Sequence, residues 1–397
     1  MKKTKEIPTV SYDVIVAGAG VAGVAAALAA AEEGAKVALI EKTIFPGGLA
    51  TTGLVFFYLQ LCDGKGTQVS YGLVEKLLKA SIKYGPDSLK KKDWGKTPWK
   101  PEDGCYCTEF APGAFILAMD ELLEQAGVDF WLDTLLVDAE TDENEAIHAV
   151  YVENKSGRIR LEGKAFVDAT GDSDLVRRAG GETTDGMNYT CMWAVHHDLD
   201  ADPKEFGRHF PLHYFPEKEC NTHGVSGREV TGFVLRSRAL LRHHYDEKYA
   251  SGAADRTTLY PLILPAMPQY RKISCIVGKY RLHDGQAMTR FEDSIGMAGD
   301  WRNTANDPWE IPYSTMIPEK IRNVAAAGRN TSSEGEAWEI TRVIPCAVVT
   351  GEAAGVAAAL AVKNGVTVDE VPYDAVARCL VRRGVKLHLS DVGLKYK

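Results

Sequence analysis

Residues 12–42 constrain the fold of this chain more than any other stretch. Tyr12-Asp-Val-Ile-Val-Ala17 is a short apolar run that reads as a buried strand. Gly18-Ala-Gly-Val-Ala-Gly23 follows at once, and residues 24–33 are rich in alanine, the strongest helix former. Gly34 stands where a left-handed helix end belongs. Lys36-Val-Ala-Leu-Ile40 is a second strand, with Glu41 at its carboxyl end. Strand, glycine turn, helix, strand, acid is the order of a dinucleotide-binding unit. Gly18 permits the tight turn, Gly20 lets backbone N–H groups approach a pyrophosphate, and Gly23 lets helix and strand pack closely. The helix N-terminus adds a positive dipole end for phosphate. Glu41 is placed to accept hydrogen bonds from both hydroxyls of an adenosine ribose.

A chain of 397 residues has room for two or three domains with shared cores. Its net charge of −8 argues against a nucleic-acid surface, which needs a basic stripe. His209, His213, His223, Arg242, His243 and His244 are locally basic and read as a solvated face. The eight cysteines form no disulfide-like framework, and Cys105-Tyr-Cys107 has the wrong spacing for a redox pair or a zinc knuckle. Scattered thiols suit a reducing compartment, so the cytoplasm is expected and no metal site is. Lysines near the start, followed by apolar residues 14–31, imitate a secretion signal or a membrane span. Asp13 and three spaced glycines interrupt that pattern, so neither is expected.

Past the second strand, residues 42–53 carry Gly47, Gly48 and the small residues Ala50, Thr51 and Thr52. A flavin ring needs such a loop, because it must lie against backbone with no Cβ intruding. Phe56, Phe57, Tyr58 and Tyr71 are available to wall a substrate pocket. Helices are predicted over 71–84 and 114–126, strands over 128–132 and 135–139, and a hairpin over 147–162. Residues 86–104, rich in Lys, Pro and Trp, read as a surface excursion. A strand then ends in Ala169-Thr-Gly-Asp172, whose small residues let the backbone lie against a dinucleotide, and a helix follows over 173–179.

From residue 180 to 322 the helix–strand alternation gives way to an inserted domain on an antiparallel sheet, with strands over 189–195 and 271–280 and a helix over 236–246. The dinucleotide theme resumes with a strand over 323–327, a turn at Gly328-Arg-Asn330 and an Ala- and Gly-rich helix over 345–364. A helix N-terminus aimed at a flavin's pyrimidine edge stabilises the charge gathered at N1–O2 on reduction. The expected architecture is α/β: a Rossmann-like FAD-binding domain, with a parallel sheet, helices and a β-meander, from residues 1–60, 108–180 and 320–375. Residues 61–107 form a cap excursion, 181–319 an inserted α+β substrate domain, and 376–397 a basic surface tail.

Assembled, these residues resemble the FAD-dependent oxidoreductases of the glutathione-reductase/fumarate-reductase superfamily, and more narrowly a bacterial FAD-dependent oxidoreductase family matched almost end to end. The resemblance rests on Gly18-x-Gly-x-x-Gly23 with Glu41, Pro46-Gly-Gly48 and Asp168-Ala-Thr-Gly-Asp172. Further along it rests on Arg271 with Gly278-Lys-Tyr280, Ile311-Pro-Tyr313, Ala327-Gly-Arg329, and Arg342 through Thr350-Gly-Glu-Ala-Ala-Gly355. It implies non-covalent FAD, since no histidine attachment motif is visible. Gly18, Ala19, Gly20, Ala22, Gly23, Glu41 and Lys42 would hold the ADP half, with Gly47, Gly48 and Leu49 near the ribityl chain and ring. Val137 would meet adenine through its backbone, and Ala169, Thr170, Gly171, Gly328, Arg329, Arg342 and Ile344 would complete the cradle. Two departures from the family stand out: Gly335 where many relatives carry histidine, and Ser274 where a second arginine is expected.

A flavin accepts hydride at N5, so the protein must hold a substrate C–H over that atom and move a proton. His196, Glu336 and Arg342 are the catalytic candidates; Arg342 is also able to clamp a carboxylate bidentately. His196 and His197 alternate, so only one faces a given cavity. No second glycine-turn unit and no Cys-x-x-Cys relay is visible, so donor and acceptor meet the flavin in one cleft or through a partner. The expected activity is hydride transfer to or from a small polar, carboxylate-bearing molecule, with NAD(P)H or an electron-transfer protein as the other reactant. The alternative is a flavin-binding subunit, or a biosynthetic flavoenzyme, that needs a partner.

Overall fold

A computed structural model describes residues 7–85, 106–199, 217–302 and 307–397. The excursion expected over 86–104 lies outside them, as do His209 and His213. The opening strand, Thr9–Ala17, buries Val14 through Ala17 completely. Burial on both faces is why it reads as an unbroken apolar run. It pairs in parallel with Val37–Ile40 on one side and with Gly157–Asp168 on the other. Asp129–Trp131 extends the sheet beyond Val37–Ile40. The long strand Gly157–Asp168 divides its outer edge. Its first half carries the antiparallel meander of Ile147–Asn154 and Leu135–Thr141, and its last residues pair in parallel with Val324–Ala326. Registers bring Ala17, Ile40, Asp168 and Ala326 level, so four strands end on one line. In an open parallel sheet, that line of carboxyl ends is where ligands bind.

Among the described residues the helices are α1 (Val21–Glu32), α2 (Leu73–Ser81), α3 (Pro112–Gln125), α4 (Asp174–Arg178), α5 (Gly227–Ala250), α6 (Gly335–Thr341), α7 (Ile344–Asn364) and α8 (Tyr373–Arg382). α1 and α7 lie side by side in the core, and glycine sets their distance. A Cβ on Gly351 would fall 2.2 Å from the Ala22 carbonyl oxygen, and one on Gly355 would fall 2.2 Å from that of Ala26. α7 has the length and apolarity to cross a membrane, at 21 residues and mean hydropathy 1.6, yet 89% of its apolar window is buried inside the fold. Its hydrophobicity is that of a helix packed on all sides.

Several expected elements differ. The strand over 189–195 is two: Asn188–Thr190 pairs with Glu217–Thr222, and Val195–Asp198 pairs with Leu259–Ile263. Between them the Gln269 amide takes the place of a strand, accepting from Trp193 N at 2.8 Å and donating to the carbonyls of Trp193 and Gly53. Of 271–280 only Ser274–Ile276 forms a strand, paired with Thr183–Asp185, and Gly278 adds an isolated bridge to Pro318. The helix over 236–246 begins nine residues earlier, at Gly227, because Ser226 and Glu229 form a capping box. Residues 376–397 are no surface tail, since Val376, Leu380, Val385, Leu387 and Leu389 are buried. Within 61–107, Leu73, Val74, Leu77 and Leu78 of α2 join the main core.

Close packing at Gly351 yields a paired test. Gly351→Ala should lower unfolding free energy by about 1–3 kcal/mol, the usual cost of forcing an extra methyl into a filled contact. Gly113→Ala, in the first turn of α3 where a Cβ meets nothing within 4 Å, should instead raise it by roughly 0.5–1 kcal/mol. Urea unfolding of the two variants measures both.

Candidate functional site

The line of strand ends opens into a cleft floored by Gly18, Gly20 and Ala22. Gly18 and Gly23 are glycines for internal reasons: a Cβ would sit 2.5 Å from the Ala169 carbonyl oxygen at the first and 1.8 Å from that of Gly18 at the second. Gly20 is different. Its φ of −59° suits any residue, and a Cβ there would meet no protein atom within 4 Å. Nothing in the fold itself requires glycine at 20; the space beyond it belongs to the cleft. The N-terminus of α1 meets that space with no side-chain cap and no acid in its first turn, leaving backbone N–H groups available to an anion. The loop over 42–53 is tied to the same turn, with Gly47 N donating to the Ala19 carbonyl at 2.7 Å.

Glu41 lines the cleft and is buried. Ala19 N donates to its Oε2 at 3.0 Å and Thr43 N to its Oε1 at 2.8 Å, which fixes the carboxylate while each oxygen keeps a second lone pair. Lys42, Gly47, Gly48, Leu49, Ala169, Thr170, Gly171, Gly328, Arg329, Arg342 and Ile344 line the same cleft. Three predicted contacts do not. Ala19 serves Glu41, Gly23 packs on Gly18, and the Val137 carbonyl accepts from Arg178 Nη1 at 2.8 Å, while Thr134, Leu135 and Leu136 line the wall instead.

Two buried groups brace the far side. Arg329 donates to the Gly171 carbonyl at 2.7 Å and to the Tyr270 carbonyl at 3.2 Å, and pairs with Asp172 at 2.5 Å. Asp168 accepts from Thr170 N and Oγ1 and from Val176 N. Burial pushes its carboxyl up to about 6 against those bonds.

A second cavity of about 790 Å³ adjoins the first. The two share Leu49, Ala50, Arg342 and Ile344, so residues from opposite ends of the chain form their common wall. Arg342 is the charged member of that wall. Its Nε donates to Glu339 Oε2 at 2.7 Å, and Glu339 Oε1 lies 2.8 Å from Lys272 Nζ. Burial would raise the Glu339 carboxyl, but Arg342 and Lys272 outweigh it and hold the group below the ordinary carboxylate range. Asn188 Oδ1 accepts from the backbone N of Arg271 and of Lys272, at 2.9 and 2.8 Å, so one side chain sets the backbone that presents both cations.

Of the three catalytic candidates, Arg342 alone reaches a cavity wall. His196 is buried beside α5 with Nδ1 3.2 Å from Tyr245 Oη, and burial depresses its pKa. Glu336, in the first turn of α6, is 65% exposed and points toward Arg302. The acid one turn later, Glu339, lines the second cavity in its stead. Its i,i+3 spacing from Arg342 was a readable signal. Lys272, Asn188 and Gln269 were missed, because only the fold brings them to the wall.

A family model described as FAD dependent oxidoreductase matches residues 13–201 and 264–380. An uncharacterized protein in the nifH2 5' region of Methanosarcina barkeri is 30% identical over 189 residues, 44% of this chain and 90% of that one. A thioredoxin reductase of Ureaplasma parvum is 39% identical over 72 residues, 18% of this chain and 23% of that one. Among solved structures, a geranylgeranyl bacteriochlorophyll reductase-like protein from Thermoplasma acidophilum is 13% identical with a TM-score of 0.42, over 95% of this chain and 83% of that one.

The open space at Gly20 makes a direct test. Gly20→Ala, which adds only a Cβ, should lower the unfolding free energy of the cofactor-free protein by no more than about 1 kcal/mol, the scale of a changed helix N-cap. It should nevertheless reduce the FAD retained through purification by about tenfold or more. Calorimetry and the flavin-to-protein absorbance ratio read the two effects separately.

Proposed function

Because the chain belongs to the FAD-dependent oxidoreductase family, we propose that it transfers a hydride between N5 of non-covalently held FAD and an organic substrate seated in the second cavity. The observation that carries this reading is the shared wall of Leu49, Ala50, Arg342 and Ile344. Bound FAD supplies a hydride acceptor and a place for negative charge at its pyrimidine edge.

The rest is the work of this chain. Gly20 and the uncapped start of α1 receive the pyrophosphate, and Glu41 the ribose hydroxyls. α7 starts at Ile344 in the shared wall, also without a side-chain cap, and its dipole favours negative charge there. Arg342 faces the same point and binds an anionic group of the substrate, while Glu339 fixes the direction of its guanidinium. Partial burial of these charges lowers the local dielectric and strengthens each of these interactions.

The purified protein should be yellow, bleach with dithionite, and bleach anaerobically with its substrate. Arg342→Met should keep FAD yet lose on the order of 10²-fold or more in kcat/KM. Retention of full activity by that variant would remove Arg342 from the reaction.

A further inference from the structure

We infer that the second cavity takes an organic anion with an extended aromatic or apolar body, and not a small polar acid; this rests on the reading that the cavity is where substrate meets flavin. The cavity's size is the first observation. It measures about 790 Å³. Pockets of this scale, about 300–1,000 Å³, enclose ligands of drug size. A four-carbon acid would leave most of the volume to water held against apolar walls.

The second observation is how those walls are arranged. Phe57, Tyr189, Trp193 and Trp301 line the cavity, and its charges gather toward the flavin side. There Arg271, Lys272 and Arg342 outnumber Glu339, which already bridges two of them. The other acid of the lining, Glu109, sits opposite Phe57 across a two-residue strand pair, and burial raises its pKa. Aromatic surface continues directly from the cations. The Arg342 guanidinium lies 5.9 Å from the Trp301 ring centre, and the Trp301 indole N–H donates to the Glu339 carbonyl at 3.3 Å. An anionic head on Arg342 and Lys272 therefore directs the remainder of its molecule along an aromatic wall.

Calorimetric titration of the FAD-loaded protein with 2-naphthoate, succinate and 2-naphthamide tests this, with the visible flavin bands followed in parallel. Expected is 2-naphthoate binding at least about tenfold tighter than succinate, from apolar burial, and at least about tenfold tighter than the uncharged amide, from the charged contact. The flavin bands should shift with it. Trp301→Ala should weaken 2-naphthoate by about fivefold or more while FAD content stays constant. Lys272→Met should shrink the preference for the acid over the amide. Succinate binding as tightly as 2-naphthoate, or the amide as tightly as the acid, overturns the inference while leaving the flavin reading intact. Binding of 2-naphthoate with no movement of the flavin bands overturns both.

Discussion

Everything in the site depends on how closely α1 and α7 approach. Gly351 and Gly355 lie against the carbonyls of Ala22 and Ala26, a contact that closes only without a Cβ on α7. Two helices more than three hundred residues apart in sequence thereby start at the same cleft, one at Val21 beside the glycine turn and the other at Ile344 in the wall of the second cavity. Both starts lack side-chain caps, so both leave backbone N–H groups and a positive dipole end to a ligand. An FAD molecule carries negative charge at its pyrophosphate and gathers it at its reduced pyrimidine edge, and on the proposed binding mode one helix start meets each.

In the first cleft the acid Glu41 is pinned by two backbone amides. In the second cavity the charges are mainly cationic, with Glu339 bridging Lys272 and Arg342 to hold them in place. A buried cation costs desolvation unless it is paired, and a fixed partner keeps a planar guanidinium oriented before substrate arrives. Arg329 does comparable work behind the cleft, joining the Gly171 loop to the Tyr270 backbone of the second region.

The parallel core was largely legible because its signals are local. The run at 12–17, the glycine turn, the alanine-rich helix and the acid at 41 each follow from a few adjacent residues, and the strand at Asp168 and the helix beginning near Pro345 do too. What failed depends on contacts between distant residues. Gln269 interrupts a strand from 76 positions away, and Asn188 sets the backbone of Arg271 and Lys272 across more than eighty. Neither leaves a pattern in its own neighbourhood. Glu336 misses the cavity by a smaller margin, one helical turn: α6 begins at Gly335, so its first acid faces solvent and Glu339 faces the cavity. His196 was misplaced because a strand break moved it against α5.

The central claim is that the beginnings of α1 and α7 converge on one bound FAD. Amide hydrogen exchange of the protein with FAD removed and then restored measures this directly. The account predicts that FAD slows exchange together in the peptides covering 18–24 and 344–350, with equal dependence on FAD concentration. Protection confined to one of the two stretches would contradict it.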